Sequence, residues 1–486
     1  MRTAAKVRVR QMLGQSTILF LGYAVAQACA LLRNVILGHM LAKGDFGIAA
    51  ALTLTLQTFE TITDLAADRM IVQAEDGDDP KLLAAAHTLL VARGIIIGAI
   101  IFWSAPYAAR LFGLADQADL FAALGMIPII KSIMHLDSRL KQRHLDNRPM
   151  MFIEVAPQAA ALAATWPLMH YHASFDVVVT LGILQALVSV WLSHVLADAH
   201  YRLGLDRSVI KRYMAFGWPI LLSAFPVLAV YQGDRMIVGS FLGVEPLAGY
   251  TAAFLIAMVP GALAARAGLS LMLPLLAKVK NDAIAFAQRF AMISELMVLV
   301  AAAYLVGMTI AGGPVVALAF GKAYQGQGLI TAALALMWSV RMIQTPSGAL
   351  LMALGDTRPL LIAGLARAAA LLLTLGFAWQ GADLVMLAVS GAIGELLSLA
   401  YIGWRLGRVS PRYGAIVFSR TLFLIATAVL ALAAIKGQEV NMPVRVALPI
   451  SIAAALGVAF VGVCVLPSLR GLAMSALMRR RKLASA

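Results

Sequence analysis

Apolar runs of about 20 residues recur along this chain, and that is the length an α-helix needs to cross the hydrocarbon core of a bilayer. They fall near residues 14–38, 46–70, 82–104, 118–138, 150–170, 175–197, 213–238, 247–274, 288–311, 328–354, 359–379, 384–404, 415–435 and 444–466, about 14 transmembrane segments. In lipid each backbone must satisfy its own hydrogen bonds, so such runs read as helices. Composition agrees. Hydrophobic residues make up 61% of the chain and charged residues 13%, with mean hydropathy +0.86, whereas soluble domains have about 25% charged residues. The expectation is an all-α polytopic membrane protein. Segments 2 and 4 contain several charges and fit the pattern least well.

The net charge of +15 does not require nucleic acid. Of the 39 Lys and Arg, 26 fall in alternate loops and the two tails, 5 in the opposite loops and 8 within the segments. The basic loops are Arg139–Arg148, Arg202–Arg212, Lys278–Arg289 and Arg405–Arg412, with a tail holding Arg479, Arg480, Arg481 and Lys482. Cytoplasmic loops concentrate Lys and Arg, so both termini are expected in the cytoplasm with an even number of spans. The run Glu75, Asp76, Gly77, Asp78, Asp79 is acidic, but acids weigh little in that rule. The basic stretch Met1–Arg10 leads into an apolar run long enough to span, without a small-residue cleavage site. Cys29 and Cys464 lie inside apolar runs and read as small core residues. Neither a cofactor nor a metal is expected.

An internal repeat organises the chain. Arg33–Gly47 aligns without gaps on Arg235–Gly249; Pro106–Gly113 matches Pro314–Gly321; and Asp146, Arg148, Pro149 match Asp356, Arg358, Pro359. Each unit would hold six spans, an even number, giving two parallel six-helix repeats of like orientation. The expected domains are a first lobe at 1–205, a second at 206–412, and two additional C-terminal helices with a basic tail at 413–486. Such halves suit a transporter whose central site opens alternately to each side.

Charges within spans are costly and mark function or pairing. The repeat aligns Arg33 with Arg235, Asp64 with Arg266, and Lys131 with Arg341. Positions repeated by the symmetry are expected to border the shared cleft, and Arg33, Lys131, Arg235, Arg266 and Arg341 are therefore candidate substrate-binding cations. Snorkelling to the headgroups and structural ion pairing are the competing roles. In segment 2, Thr53, Gln57, Glu60, Thr61, Asp64 and Asp68 recur at three- and four-residue spacing and would share one helical face. Glu60, Asp64 and Asp68 are candidate ion-coupling groups, with a polar helix–helix seam as the alternative. Isolated acids stand at Glu154, Glu295 and Glu395, and isolated bases at Arg93, Arg367 and Arg420; either coupling or structural pairing would account for them. His87 and His135 read as core residues. Segment 2 apart, bases outnumber acids on the cleft segments, and Arg and Lys favour anions, phosphate above all.

Taken together, Arg33–Leu37 with Gly44–Gly47, then Asp64 with Ile71–Gln73, then Asp234–Gly243 and Leu247–Tyr250 resemble the polysaccharide transporter family. These are the oligosaccharide flippases of the multidrug/oligosaccharidyl-lipid/polysaccharide superfamily. The resemblance spans roughly residues 10 to 410. Ala66 stands where the family often has Gly, and Asp68 and Arg69 depart from it in charge. The resemblance implies a V-shaped two-lobed fold and a flippase for an undecaprenyl-diphosphate-linked oligosaccharide in surface polysaccharide biosynthesis (lipopolysaccharide O-antigen, capsule or exopolysaccharide). It implies residence in the inner membrane among its lipids, coupling to protons or sodium, and work alongside glycosyltransferases and a polymerase.

Three other functions meet the same sequence. A major-facilitator transporter shares two parallel halves, but here the acidic Glu75–Asp79 replaces the basic end of that family's loop motif. A cation–drug antiporter of the same superfamily would show acids, not bases, in its cavity. A glycan ligase or polymerase would need an extended outer loop with clustered catalytic groups, and the longest outer loops, 105–117 and 312–327, hold one or two charges each. The sequence reads as a transporter, not an enzyme.

Overall fold

A computed structural model describes residues 2–436, 442–471, 474, 475 and 478. The basic tail at 479–482 lies outside them. All regular structure among the described residues is helical. The helices are α1 (Arg2–Met40), α2 (Lys43–Ile62), α3 (Ala67–Gln73), α4 (Pro80–Leu111), α5 (Ala118–Ala123), α6 (Met126–Lys131), α7 (Asp137–Arg143), α8 (Arg148–Tyr171) and α9 (Val177–Val195). They continue as α10 (Arg207–Leu228), α11 (Asp234–Ile237), α12 (Val244–Ala277), α13 (Ala283–Phe320), α14 (Gly328–Leu354), α15 (Arg358–Trp379), α16 (Leu384–Val409), α17 (Pro411–Lys436) and α18 (Val444–Val465). Among the described residues, eleven helices are long and apolar enough to cross a membrane. One of these is the run Arg207–Leu242, in which wider π-helical turns at Ala229–Gly233 and Val238–Leu242 flank α11.

Local chemistry sets where the helices begin. Asp79, Asp206, Asp282 and Asp383 cap α4, α10, α13 and α16 by accepting backbone N–H bonds in the first turn, and Pro stands at the start of α4, α8 and α15, where its missing N–H costs nothing. The repeat is visible in these details. α4 and α13 each contain a proline, Pro106 and Pro314, and each is followed by a glycine at positive φ, Gly113 and Gly321. Leu145 and Gly355 both adopt positive φ. The next N–H in each case, on Asp146 or Asp356, bonds five residues back to Lys141 O at 2.9 Å or Leu351 O at 3.0 Å. The same helix-ending motif thus occurs twice, just before α8 and α15.

Two expected spans are not continuous. Segment 46–70 breaks between α2 and α3, where Ala66 sits in the left-handed region at φ 49° and its N–H bonds to Asp64 Oδ1 at 3.0 Å. Asp64 and Asp68 are therefore not on one helix with Thr53, Gln57, Glu60 and Thr61. Segment 118–138 is divided into α5, α6 and the start of α7. Gly125 lies between α5 and α6, and a Cβ there would come within 2.6 Å of Gly98 O on α4. Backbone contact with α4, together with Pro128 inside α6, replaces the uninterrupted helix that hydropathy suggests. Segment 150–170 is a single helix, α8, but falls outside the eleven.

The chain divides into two compact units, Met1–Ala248 and Gly249–Ala486. In the first, Met70, Ile71, Leu82, Ala85, Leu136 and Tyr213 form one core cluster beside the α2–α3 break. Next to it the loop after α9 is clipped down by histidines. His87 meets Arg202 O through Nδ1 (3.2 Å) and accepts Leu136 N–H at Nε2 (3.1 Å). His135 meets Ala199 O through Nε2 (3.0 Å) and accepts Asp137 N–H at Nδ1 (3.0 Å). With both ring nitrogens of each occupied by backbone, these are structural residues. In the second unit, α13 and α14 pack along their length, with Phe286, Phe290, Leu305, Met342 and Leu350 among its core residues. Cys29 is half-buried and Cys464 is exposed, so Cys464 is not the core residue its apolar surroundings suggest; a spanning helix is apolar on its lipid side too.

Candidate functional site

A cavity of about 560 Å³ opens in the first unit against the α2–α3 break. Its walls come from α2 (Gln57, Glu60, Thr61), the break and α3 (Asp64 to Arg69), α4 (Arg93), the stretch into α7 (Met134, Arg139) and α10 with the π-turn after it (Ser223, Gln232). The break is what gathers the charges. A continuous helix would place Asp64 one turn and Asp68 two turns beyond Glu60; the turn at Ala66 brings all three around one space.

Every carboxylate of the cavity meets a cation of the same unit. Lys131 Nζ lies 2.9 Å from Glu60 Oε1. Arg93 donates to the backbone carbonyl of Glu60 at 2.8 Å and stands 3.9 Å from Asp64. Asp64 also pairs with Arg69 at 3.2 Å, and Asp68 with Arg139 at 2.7 Å. The side chains of Lys131 and Glu60 remain 39% and 31% exposed, so this is a wet ion-pair network with four cations to three carboxylates. A phosphate can displace a carboxylate from a guanidinium or ammonium at little cost there, since each ion already faces water. Arg93 Nε is buried without a hydrogen-bond partner among the described residues.

The expected site residues therefore divide. Glu60, Asp64, Asp68 and Lys131 come together. Arg33 lies elsewhere in the first unit, in a polar seam where its Nη1 reaches Gln158 Oε1 at 3.4 Å and Gln185 joins at 3.3 Å. Arg235 is buried between the two π-turns and donates to Tyr231 O at 2.9 Å. Arg266 is exposed on α12 in the second unit. Arg341 is buried there, hydrogen-bonded through Nε to Glu395 at 2.8 Å and ion-paired to it through Nη2, with its guanidinium 4.5 Å from the Trp338 ring centroid. Arg367 stands 3.8 Å from the same carboxylate, and Gln344 donates to it at 3.3 Å. Arg420 and Glu295, isolated in sequence, also pair at 2.5 Å, and Ser468 and the Leu469 N–H complete the cradle.

Arg93, Arg139 and Arg69 belong to the cavity but were not among the candidates. Arg93 carries a visible signal, a base in the middle of an apolar run. Arg139 carries none, because it reads as one more loop cation.

The acidic run is explained by its partners. Arg143 on α7 pairs with Asp78 at 3.2 Å and donates to Ala74 O and Glu75 O. Arg212 on α10 grips Asp76 through both terminal nitrogens at 2.5 and 2.6 Å. The hydrogen bond from Arg212 holds the Asp76 carboxyl below the usual carboxylate range, and the one donated by His144, with Arg143 beside it, does the same for Asp78.

The sequence pattern of the family described as "Polysaccharide biosynthesis protein" matches residues 36–327, more than half of the chain. The chain belongs to this family. The match takes in the cavity and, from residue 36 onward, the motif regions on which the resemblance rested. A relative, the teichuronic acid biosynthesis protein TuaB of Bacillus subtilis (strain 168), is 22% identical over 369 residues, covering 71% of this chain and 73% of TuaB. In fold, the chain is similar to the lipid II flippase MurJ in its inward closed conformation, with a TM-score of 0.70 at 13% identity, over 92% of this chain and 98% of that one. It is also similar to an inward-facing multidrug resistance MATE family transporter of the MOP superfamily, with a TM-score of 0.62 at 15% identity, over 80% and 95%. The protein is a multi-pass helical membrane protein of polysaccharide biosynthesis.

Proposed function

We propose that this protein is a flippase that moves an undecaprenyl-diphosphate-linked oligosaccharide across the cytoplasmic membrane by alternating access, driven by a proton or sodium gradient, during assembly of a surface polysaccharide. Membership of the polysaccharide biosynthesis family carries the reading. The fold shared with a lipid II flippase over nearly the whole chain supports it. The first-unit cavity supplies chemistry for the diphosphate. Lys131 and Arg93 exchange their contacts with Glu60 and Asp64 for phosphate oxygens, a trade between anions. Of the remaining candidate cations, we assign Arg33, Arg235 and Arg266 to the substrate path and Arg341 to the integrity of the second unit. Both termini face the cytoplasm in this reading, and glycosyltransferases and a polymerase act before and after the transporter.

The test is genetic and biochemical. Deletion should leave lipid-linked oligosaccharide on the inner face of the membrane, and a plasmid copy should clear it. Lys131→Ala at normal expression should fail to do so. Full complementation by Lys131→Ala and Arg93→Ala would remove the cavity from the mechanism. A cation–drug antiporter is favoured by one observation, the three carboxylates lining the cavity; export of cationic dyes without any effect on lipid-linked oligosaccharide would select it.

A further inference from the structure

The walls of the first-unit cavity differ in chemistry from one side to the other. On α2, Thr58 faces Gln232, with its hydroxyl 3.2 Å from Gln232 Oε1, and Glu60 faces Lys131 at 2.9 Å. Two residues apart on a helix, these side chains leave on nearly opposite sides, roughly 200° around the axis. Gln57 and Thr61 lie between them, one turn apart on a single face, and both line the cavity. From there the lining runs one way to the charges of α3, α4 and α7, and the other way to α10. The residues that α10 turns to the cavity are Ile220, Ser223, Ala224 and Val227, at three- and four-residue spacing and without a charge.

Two amides on the uncharged side have hydrogen-bonding capacity left over. Gln57 is exposed, and its side chain makes no hydrogen bond among the described residues. Gln232 is only 8% exposed. Its oxygen stands by Thr58, while its amide nitrogen has no partner among the described residues. A polar nitrogen in an almost closed wall is costly unless water or a ligand in the space beside it accepts its hydrogens. Ser223 donates its hydroxyl to Ile220 O at 2.7 Å and keeps its lone pairs for an incoming donor.

We propose that this uncharged side is the subsite for the sugar nearest the diphosphate, with Gln57 and Gln232 as its specificity-determining residues. The assignment rests on reading the cavity as the site of a diphosphate-linked glycan. A hydroxyl-rich ring next to a diphosphate needs partners that both donate and accept. Unpaired carboxylates would repel the phosphates, and cations would be drawn to them instead of to the ring. Neutral amides and hydroxyls escape both conflicts. Ile220, Ala224 and Val227 give the C–H face of a ring a surface to pack on. The carboxylates across the cavity do not compete for the sugar, because Lys131, Arg69 and Arg139 already hold Glu60, Asp64 and Asp68.

The experiment titrates the full-length protein in detergent with defined lipids and reads occupancy by native mass spectrometry. The probes are undecaprenyl diphosphate and the same lipid bearing one N-acetylglucosamine, one galactose or one glucose. The parent should bind at least one glycosylated probe about tenfold more tightly than the bare diphosphate, the gain from two neutral hydrogen bonds. Gln57→Leu and Gln232→Leu should each lower that ratio about threefold and leave affinity for the bare diphosphate unchanged. Arg93→Ala should weaken all the probes by one factor. Glutamine variants that weaken every probe alike, or that keep the parent's ratio, overturn the assignment. Gln57 has no hydrogen bond to lose, so Gln57→Leu decides the matter if Gln232→Leu fails to fold. A parent that binds all probes equally overturns the sugar subsite and leaves the flippase reading standing. If no probe binds, the flippase reading falls and the subsite with it.

Discussion

The two units handle charge in opposite ways. In the first, Glu60 and Lys131 meet with about a third of each side chain still exposed, beside a cavity that other cations and acids line. In the second, Arg341 and Glu395 are 9% and 2% exposed, and Arg420 and Glu295 are 13% and 1%. Ion pairs of these two kinds differ in what breaking them does. An exposed pair contributes little to stability because water replaces either partner. A buried pair leaves a stranded charge when one partner is lost. The difference separates a site whose ions can be exchanged from a scaffold whose ions cannot.

Substitutions can break or sharpen that contrast. Glu395→Ala should have the largest effect, a loss of about 3–5 kcal/mol, seen as collapse of the thermal unfolding temperature in detergent; a variant as stable as the parent would erase the distinction. Glu295→Ala should follow at about 2–4 kcal/mol, since the more accessible Arg420 recovers some hydration, and should loosen α17 from α13 in hydrogen exchange. Glu60→Gln should change stability by no more than about 1 kcal/mol while removing complementation. A large stability loss there would make the cavity structural. Asp76 and Asp78, held below the usual carboxylate range by Arg212 and by His144 with Arg143, respectively, add a pH-dependent contribution. It is present in full above the ordinary carboxylate value of 3.8 and is lost as pH falls further, so protease nicking of the 74–79 loop should rise only in strong acid. The smallest effect belongs to Ala66→Gly. Relief of the left-handed conformation and the added chain freedom of glycine nearly cancel, within about 1 kcal/mol, and transport should be unchanged.

What could be read from residues alone was whatever is encoded locally. The helical, membrane-spanning character follows from runs of apolar residues, and the repeat from Pro106 and Pro314, Gly113 and Gly321, Asp146 and Asp356, whose backbone roles are set within a few residues. The break at Ala66 was hidden, because alanine carries no turn signal; only its replacement of the glycine seen in the resembled family hinted at it. The division of segment 118–138 depends on contact with Gly98 of α4, and no hydropathy window contains both. Among the site residues, Glu60, Asp64, Asp68 and Lys131 converge as polar groups in apolar runs should. Arg93 and Arg139 reach the same cavity from 33 residues beyond Glu60 and 71 beyond Asp68, distances at which sequence spacing says nothing. Glu295 and Glu395 looked equivalent to Glu154 until their partners were in view.

The clasp on the acidic run also bears on how the protein is made. Asp78 finds Arg143 65 residues later in the chain, and Asp76 finds Arg212 only after 136. At about 5–20 residues per second of synthesis, that second interval is about 7–27 s. Throughout it Asp76 lacks Arg212, although Arg143 can meet Asp78 about halfway through. The loop ahead of α4 therefore acquires its full set of partners only once α10 has been made.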